Sequence, residues 1–577
     1  MCGIAGIVSI KHKPTEALKV DLGSFREAVD RIERHGLQFC REASLDPAAN
    51  YLGGSEQIAS LGFVVTSWKK DAPFFQIFSD KRLQEDLFKT AARLAAVIER
   101  EDRALKERMG HLPTAEMDIL SNHLEQVRDI AWCLSREIEE NIRKIKDLFH
   151  RSVAPEEIVT IFKRINAVLN SIDRLEVRGR DSAGISLLFT LDPAVYDAFI
   201  DTLDKANFLD RFHQRISREV LINGGLSVHE QTDESGVPRR AVAFTYKIAA
   251  EIGRLGDNVA FLRAQIKNDA ILQALVNFPH LTYTVSSHTR WASVGAISEP
   301  NCHPVDNITL RSRENGPIFH VCLNGDIDNY LDLKARFERG GRRIPADITT
   351  DTKIIPLRIQ SYVEEGHPVA EAFRLAVNDF DGSHAITLHT DLAPGKLFLA
   401  QRGSGQAIFV GLADDHYMSA SEVYGFIEET PRYLKLDGER VVQGRNGETQ
   451  GQIYILDQHS EGGLAGIQAM YYDGTPVELR PDNIKTTQIT TRDIDRQSFS
   501  HYFLKEISES PGSVEKTLLN RWRIAEGDGG HCEIVLDEKV IPESIRSALA
   551  ADAIRKVFFV GQGTAGVAAQ ACADILA

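Results

Sequence analysis

At 577 residues the chain has room for several domains of about 100–200 residues each. Its 43% hydrophobic and 26% charged residues are those of an ordinary soluble globular protein. A formal net charge of −15 argues against nucleic acid or an anionic membrane surface as partner.

In chain order, residues 3–10 of "MCGIAGIVSI" read as a short buried strand. From Arg82 to about Arg108, apolar residues recur at steps of three and four (Leu83, Leu87, Ala91, Leu94, Ile98, Leu105). The pattern returns from Thr114 to His150 in Leu120, Leu124, Val127, Ala131, Leu134, Ile138, Ile145 and Leu148. Between them "GHLPT" supplies the helix-ending Gly110, then Pro113 and a capping Thr114. Two such helices joined by a short turn predict an antiparallel coiled-coil hairpin over about 82–150. A third helix, about Pro155–Leu175, leads into the loop and strand "RGRDSAGISLLF".

After Val285 come glycine-punctuated, β-branched runs: "TYTVSSHTRW", "FHVCLNGDI", "SHAITLHT", "KLFLAQRG" and "AIFVGL". Helical stretches such as "DTKIIPLRIQSYVEEG" alternate with some of them, predicting a sheet-rich α+β domain. Its first strand is residues 3–10, so the helical tract is an insertion into that domain. The end, "KVFFVGQGTAGVAAQACADILA", reads as strand, glycine-rich turn and helix. One such unit cannot bury a core, so the expectation is a domain cut short.

Seven cysteines without CxxC spacing predict neither a disulfide framework nor a zinc site. No apolar run reaches the ~18–20 residues that span a bilayer, and the expected compartment is the cytoplasm, where a working thiol stays reduced. Cys2 is either a small hydrophobe at the head of a strand or, once Met1 is removed, a thiol beside its own α-amine. In "SSHTRWASVGAISEPNCHP", Arg290 offers a planar fork for a carboxylate, or a structural ion pair. In "LNGD", the Asn324 amide and the Gly325 N–H offer two donors to an oxyanion, or a plain turn. In "TTDTK", Asp351 faces a substrate ammonium or caps a helix.

Taken together and in this order, "MCGIAGIV", "RGRDSAG", "HTRWASVG…NCHP", "LNGDIDNY" and "TTDTKII" resemble the glutaminase domain of class II glutamine amidotransferases. The spelling is similar to that of the glucosamine-6-phosphate synthase family, also called glutamine–fructose-6-phosphate aminotransferases. There the motifs run CGI, RGYDSAG, HTRWATHG…N-HP, HNG and TDT. The resemblance covers residues 1–10, about 160–190 and about 240–577. It implies a four-layer αββα N-terminal-nucleophile hydrolase fold formed by 1–10 plus 155–495. The rest divides into an unrelated, largely helical insertion at 11–154, a linker at 496–545 and the start of a sugar-isomerase (SIS) domain at 546–577.

The resemblance also implies roles. Cys2 is the nucleophile, its α-amine the proton acceptor, and Asn324 with Gly325 the oxyanion hole. Arg290 takes the glutamine α-carboxylate and Asp351 its ammonium. Trp291 covers the pocket, Ser293 and Val294 give loop contacts, and Arg178 helps hold the catalytic terminus. The partners implied are L-glutamine, fructose 6-phosphate through further SIS domains, and a second copy of the chain. No cofactor or metal is implied.

Three positions depart from the family spelling: Arg180 for tyrosine, and Val294 and Leu323 for histidines. The turn "GQGTAG" (Gly561, Gly563, Gly566) also fits a dinucleotide fingerprint. Its acidic partner about 20 residues on has no place in the eleven residues that follow. A sugar phosphate on the helix N-terminus suits the preceding linker better, although Ala565 stands where the family has a phosphate-binding serine. Two other readings remain open from the sequence: an amidotransferase with another acceptor, such as phosphoribosyl pyrophosphate, and a silent assembly or regulatory protein using the hairpin.

Overall fold

The computed structural model describes residues 2–10, 19–108, 112, 114–149, 154–216, 219–232, 236–250, 255–310, 316–497, 499–518, 522–524, 532–534, 538, 541–561 and 563–577. Met1, Gly110 and Pro113 lie outside the described residues, as does much of the expected linker between 519 and 540.

The opening strand, Gly3–Ser9, is buried along its whole length because it lies mid-sheet. It pairs antiparallel with Thr282–Arg290 on one side (Ile4 opposite His288) and with His416–Ala420 on the other (Ala5 opposite Ala420). Its alternation serves two faces. Ile4 and Val8 enter a cluster with Leu397, Leu399 and Tyr454 of a second sheet. Ala5 and Ile7 face the helix Glu156–Leu175. Gly3 is needed there, since a Cβ would stand 2.6 Å from that of Leu175.

The sheet around this strand has nine strands. Ser182–Leu191, Pro238–Ala249 and Gly225–Thr232 continue it beyond Thr282–Arg290; Phe409–Leu412, Arg432–Lys435 and Lys485–Thr486 continue it the other way. The second sheet orders Ile467–Tyr471, Gln452–Asp457, Lys396–Arg402, His384–Thr390 and Phe319–Gly325. Helices Ile354–Glu364 and Val369–Asn378 cover its outer face through Ile355, Ile359, Phe373 and Ala376. Helices therefore flank two stacked antiparallel sheets, which is the expected αββα order.

The long tract between the first strand and Glu156 is helical, as expected, but it does not form a self-contained coiled coil. Helices Lys81–Lys106 and Thr114–Trp132 meet, and the second continues through a π-helical stretch, Cys133–Glu140, into Asn141–Leu148. Their apolar residues (Leu87, Leu94, Leu124, Ile138, Ile145) share one continuous core with Phe25 and Trp68 of the same insertion. That core extends to Phe162 and Ile165 of the helix beneath and to Ile7 of the opening strand. Additional helices at Leu22–Arg34, Ser55–Ser67 and Asp71–Ser79 supply apolar surface that a two-helix seam does not need.

Polar contacts fasten the insertion down. Lys163 and Arg164 both reach Asp71, at 2.7 and 2.6 Å. Buried Glu428 takes the Arg174 guanidinium and the Asn141 amide, and against the cost of burial the Arg174 charge holds its carboxyl below the ordinary range. On the outer side, Arg492 reaches Asp129 and Glu125, each at 2.8 Å, and Trp132 Nε1 donates to Thr491 at 2.9 Å.

Near the chain's end the helix Thr564–Leu576 forms as expected, whereas the expected strand before it does not. Val557, Phe558 and Val560 are exposed, and a strand needs a neighbour to pair with.

Candidate active site

Three chain segments distant in sequence end at one place. Gly3–Ser9 and Thr282–Arg290 pair antiparallel with Gly3 opposite Thr289, which carries Cys2 to the end of the neighbouring strand, where it meets Trp291. The Trp291 N–H donates to Cys2 Sγ at 3.2 Å, and the thiol lies 3.4 Å from the Trp291 carbonyl. From the facing sheet, Phe319–Gly325 ends on the "LNG" motif, and Asn324 Nδ2 donates to the Cys2 carbonyl at 3.2 Å. Burial pushes the Cys2 thiol above its ordinary value, against the pull of the Trp291 N–H and the Arg290 charge; the Asp326 carboxylate adds to the rise.

Gly325 adopts a φ of +90°, and a Cβ there would meet the Ser383 carbonyl at 2.1 Å. No other residue fits that position without moving backbone. Gly325→Ala is expected to cost ~1–3 kcal/mol, read as a lower urea midpoint with an unchanged slope.

The loop after Trp291 is tied at both ends. Arg290 is buried, and its guanidinium donates to the carbonyls of Val294 and Ala296, the latter at 3.3 Å. Ser293 Oγ donates to Asp326 at 2.6 Å, joining the loop to the end of the facing strand. The Ala292 N–H donates to Asp181 of "RGRDSAG" at 2.7 Å. Trp291 is 54% exposed, so it stands at the lip of the site. Arg178, from the same loop as Asp181, pairs with Glu422. Glu422 follows Ser421, whose N–H donates to the Ile4 carbonyl at 3.1 Å.

Asp351 begins a helical turn and is 4% exposed. The Ile327 N–H donates to its Oδ2 at 2.8 Å, which brings it beside the "NGD" strand end. Burial raises its carboxyl above the ordinary value, opposed by the Ile327 N–H and reinforced by the Asp326 charge. Sequence reasoning did not single out the residues that place it. Asn301 accepts from the N–H groups of Thr349 and Thr350 at 2.7 and 2.9 Å, and His303 Nε2 meets Thr352 Oγ1 at 2.8 Å. Both lie in "NCHP", so the motif was visible while its task was not. Asp181, His288 and Asp326 were likewise visible and unassigned. Among the described residues no cluster of His, Cys, Asp and Glu is arranged to hold a metal ion, and no helix is long and apolar enough to cross a membrane.

No protein-family model matches the chain. A glutamine–fructose-6-phosphate aminotransferase (isomerizing) of Streptococcus mutans is 27% identical over 272 residues, which is 47% of this chain and 37% of that protein. The enzyme of the same name from Neisseria meningitidis serogroup A is 29% identical over 286 residues, 49% of this chain and 39% of that one. Among solved structures, "Structure of the allosteric regulatory enzyme of purine biosynthesis" matches 53% of this chain and 46% of its own, at 16% identity and a TM-score of 0.31. The match spans about two fifths of the length of these curated relatives. Over about half of its own length, this chain is thus a relative of glutamine–fructose-6-phosphate aminotransferases, the class II glutamine amidotransferase group that its motifs resemble.

Proposed function

We propose that this chain hydrolyses L-glutamine to glutamate and ammonia at Cys2, as the glutaminase part of a class II amidotransferase. The observation that carries the reading is the meeting of the Cys2 thiol, the Trp291 backbone and the Asn324 amide across about 290 and 322 residues of chain. A half-buried thiol held above its ordinary pKa needs a base at hand. Removal of Met1 supplies one, because the freed α-amine of Cys2 titrates near ~7.7–8.0.

In this reading the amine takes the thiol proton, and Sγ attacks the carboxamide carbon, forming a C–S bond. The negative oxygen faces Asn324 Nδ2 and the Gly325 N–H. Collapse breaks the C–N bond, and the terminal ammonium returns its proton to the departing ammonia. Water then attacks the glutamyl thioester, the amine accepts its proton, and glutamate leaves as the thiol is restored.

Arg290 carries five N–H donors. Those given to Val294 and Ala296 set the loop, and the remainder take the substrate α-carboxylate. Asp351 takes the α-ammonium. Arg178, through Glu422, steadies the strand end beside the terminus. The acceptor for the ammonia is fructose 6-phosphate, a reading supported by the names of the curated relatives. The cytoplasm, an SIS-type segment after the linker and assembly with a second copy belong to the same proposal.

The test is a glutaminase assay on chain with Met1 removed, where no Cys2-dependent glutamate would overturn the reading in favour of a silent assembly protein. Two variants separate chemistry from recognition. Asn324→Ala is expected to lower kcat by roughly 10²–10³ with KM little changed. Asp351→Asn is expected to raise KM far more than it lowers kcat. Because burial raises the Asp351 pKa, its protonated, neutral form grows in as pH falls at values above the ordinary aspartate range. KM therefore climbs on the acid side in the wild type and stays flat there in Asp351→Asn. A kcat effect alone from Asp351→Asn would remove it from ammonium binding.

A further inference from the structure

His288 has no assigned task, although it opens the "HTRW" motif. It sits on Thr282–Arg290 opposite Ile4 of the first strand, fully enclosed between the two sheets. Its Nε2 lies 2.9 Å from the Leu323 carbonyl and 3.0 Å from Asn324 Oδ1. Both partners are oxygen acceptors, so Nε2 carries the proton and donates to both. Its Nδ1 is buried and has no hydrogen-bond partner among the described residues. A proton there would be an unpaired buried donor, which is disfavoured. The His303 ring, 4.3 Å away, and the Arg290 charge face it as well. Burial and that charge hold its pKa down to about 3, so the ring is neutral at working pH in a single tautomer.

A carboxamide has two faces of similar shape and opposite polarity. With Oδ1 engaged by the imidazole, the Asn324 amide must turn Nδ2 toward Cys2, where it donates to the Cys2 carbonyl at 3.2 Å. The flipped amide would set NH2 against the Nε2 proton and aim Oδ1 at the Cys2 carbonyl, a clash of like dipoles at both ends. We infer that His288 is a positioning residue for the oxyanion hole, fixing the Asn324 carboxamide with its donor face toward the reacting carbon. The inference rests on the glutaminase reading for its consequence in turnover, and on the hydrogen bonds alone for the orientation itself.

The experiment uses the full chain with Met1 removed. His288→Leu, which fills the space without a donor, is expected to lower kcat at least about tenfold with KM within about twofold. His288→Gln, whose amide nitrogen has similar reach, recovers most of that loss. In an Asn324→Ala background His288→Leu causes no further fall, because the group it orients is gone. If His288→Leu does not fold, His288→Met takes its place in the same comparison. Equal losses with and without Asn324, a change in KM alone, or a Gln variant as poor as Leu would each overturn the proposal.

A second readout needs no turnover. The Asn324 carboxamide protons, assigned by their disappearance in Asn324→Ala, are expected to exchange with solvent at least about tenfold faster in His288→Leu than in the wild type. Unchanged exchange overturns the proposal even if the chain turns over glutamine. Faster exchange in a chain that hydrolyses no glutamine sustains the positioning and rejects the glutaminase reading.

Discussion

Cys2→Ala is expected to abolish glutamine hydrolysis, with a loss of at least ~10³-fold, while the thermal midpoint stays where it was. The two halves of this result have separate causes. In the proposed mechanism the thiol forms the covalent bond, and the oxyanion donors and binding groups that remain would supply only a residual rate. The fold should scarcely register the change, because Cys2 precedes the strand and the Sγ hydrogen bonds among the described residues are weak ones to the backbone N–H and carbonyl of Trp291. Chain that keeps Met1, or carries an N-terminal tag, should be almost as inactive with Cys2 intact. Its α-nitrogen is then an amide that accepts no proton near neutral pH, next to a thiol that burial keeps protonated. Glutamate release and the N-terminal mass are measured on the same sample. Full turnover by chain shown to retain Met1 would remove the α-amine as base and require another group within reach of Sγ.

The site was legible in the sequence through the order of its motifs. A second-position cysteine before an apolar run, Asn-Gly after a strand and Asp351 in a Thr-rich turn each have a plain local reading as well, and only their succession along the chain points to a glutaminase site. The structure brings Cys2 and Asn324 within a hydrogen bond of one another.

What escaped the sequence is what depends on a third partner. Arg290 read as a fork for a carboxylate or as one half of a structural ion pair, yet part of its guanidinium is spent on the carbonyls of its own loop, at Val294 and Ala296. Asp326 carried no assigned role in the sequence, yet it holds Ser293 and weighs electrostatically on Cys2 and Asp351. Asn301 and His303 matter only because Thr349–Thr352 folds against them, a contact about 50 residues away that no periodicity announces. The same limit misjudged the helical tract. Heptad-like spacing reports that a helix has an apolar face, and says nothing of whether one helix or a whole domain covers it.

Replacing about Arg82–His150 by a short Gly/Ser linker should therefore unfold the protein and leave no independent glutaminase domain. The deleted helices contribute Leu87, Leu94, Leu124, Val127, Ile138, Ile142, Ile145 and Leu148 to a core that continues without a break into Phe162, Ile165 and Ile7. Burial of each such side chain is worth ~1.5–3 kcal/mol. Eight of them match or exceed the ~5–15 kcal/mol that separates a typical folded domain from its unfolded chain. The loss is also electrostatic. Lys69, paired with Glu137 at 2.6 Å and with the Glu428 carbonyl, would lose the carboxylate, and Glu428 would lose the Asn141 amide.

A milder version keeps the argument quantitative. Ile138→Ala, at a site with no exposure, should cost ~2–5 kcal/mol. Because the core is shared, it should lower one transition for insertion and sheets together rather than create a second, earlier one. Near-UV circular dichroism and glutaminase activity followed through the same melt report the two regions separately. A deletion variant that melts cooperatively and still turns over glutamine would show that Phe162 and Ile165 find other cover. Two separated transitions in Ile138→Ala would show that the insertion is a unit of its own. A single, coincident transition at lower temperature is the expected result, since the Glu156–Leu175 helix packs against the insertion on one side and the Cys2 strand on the other.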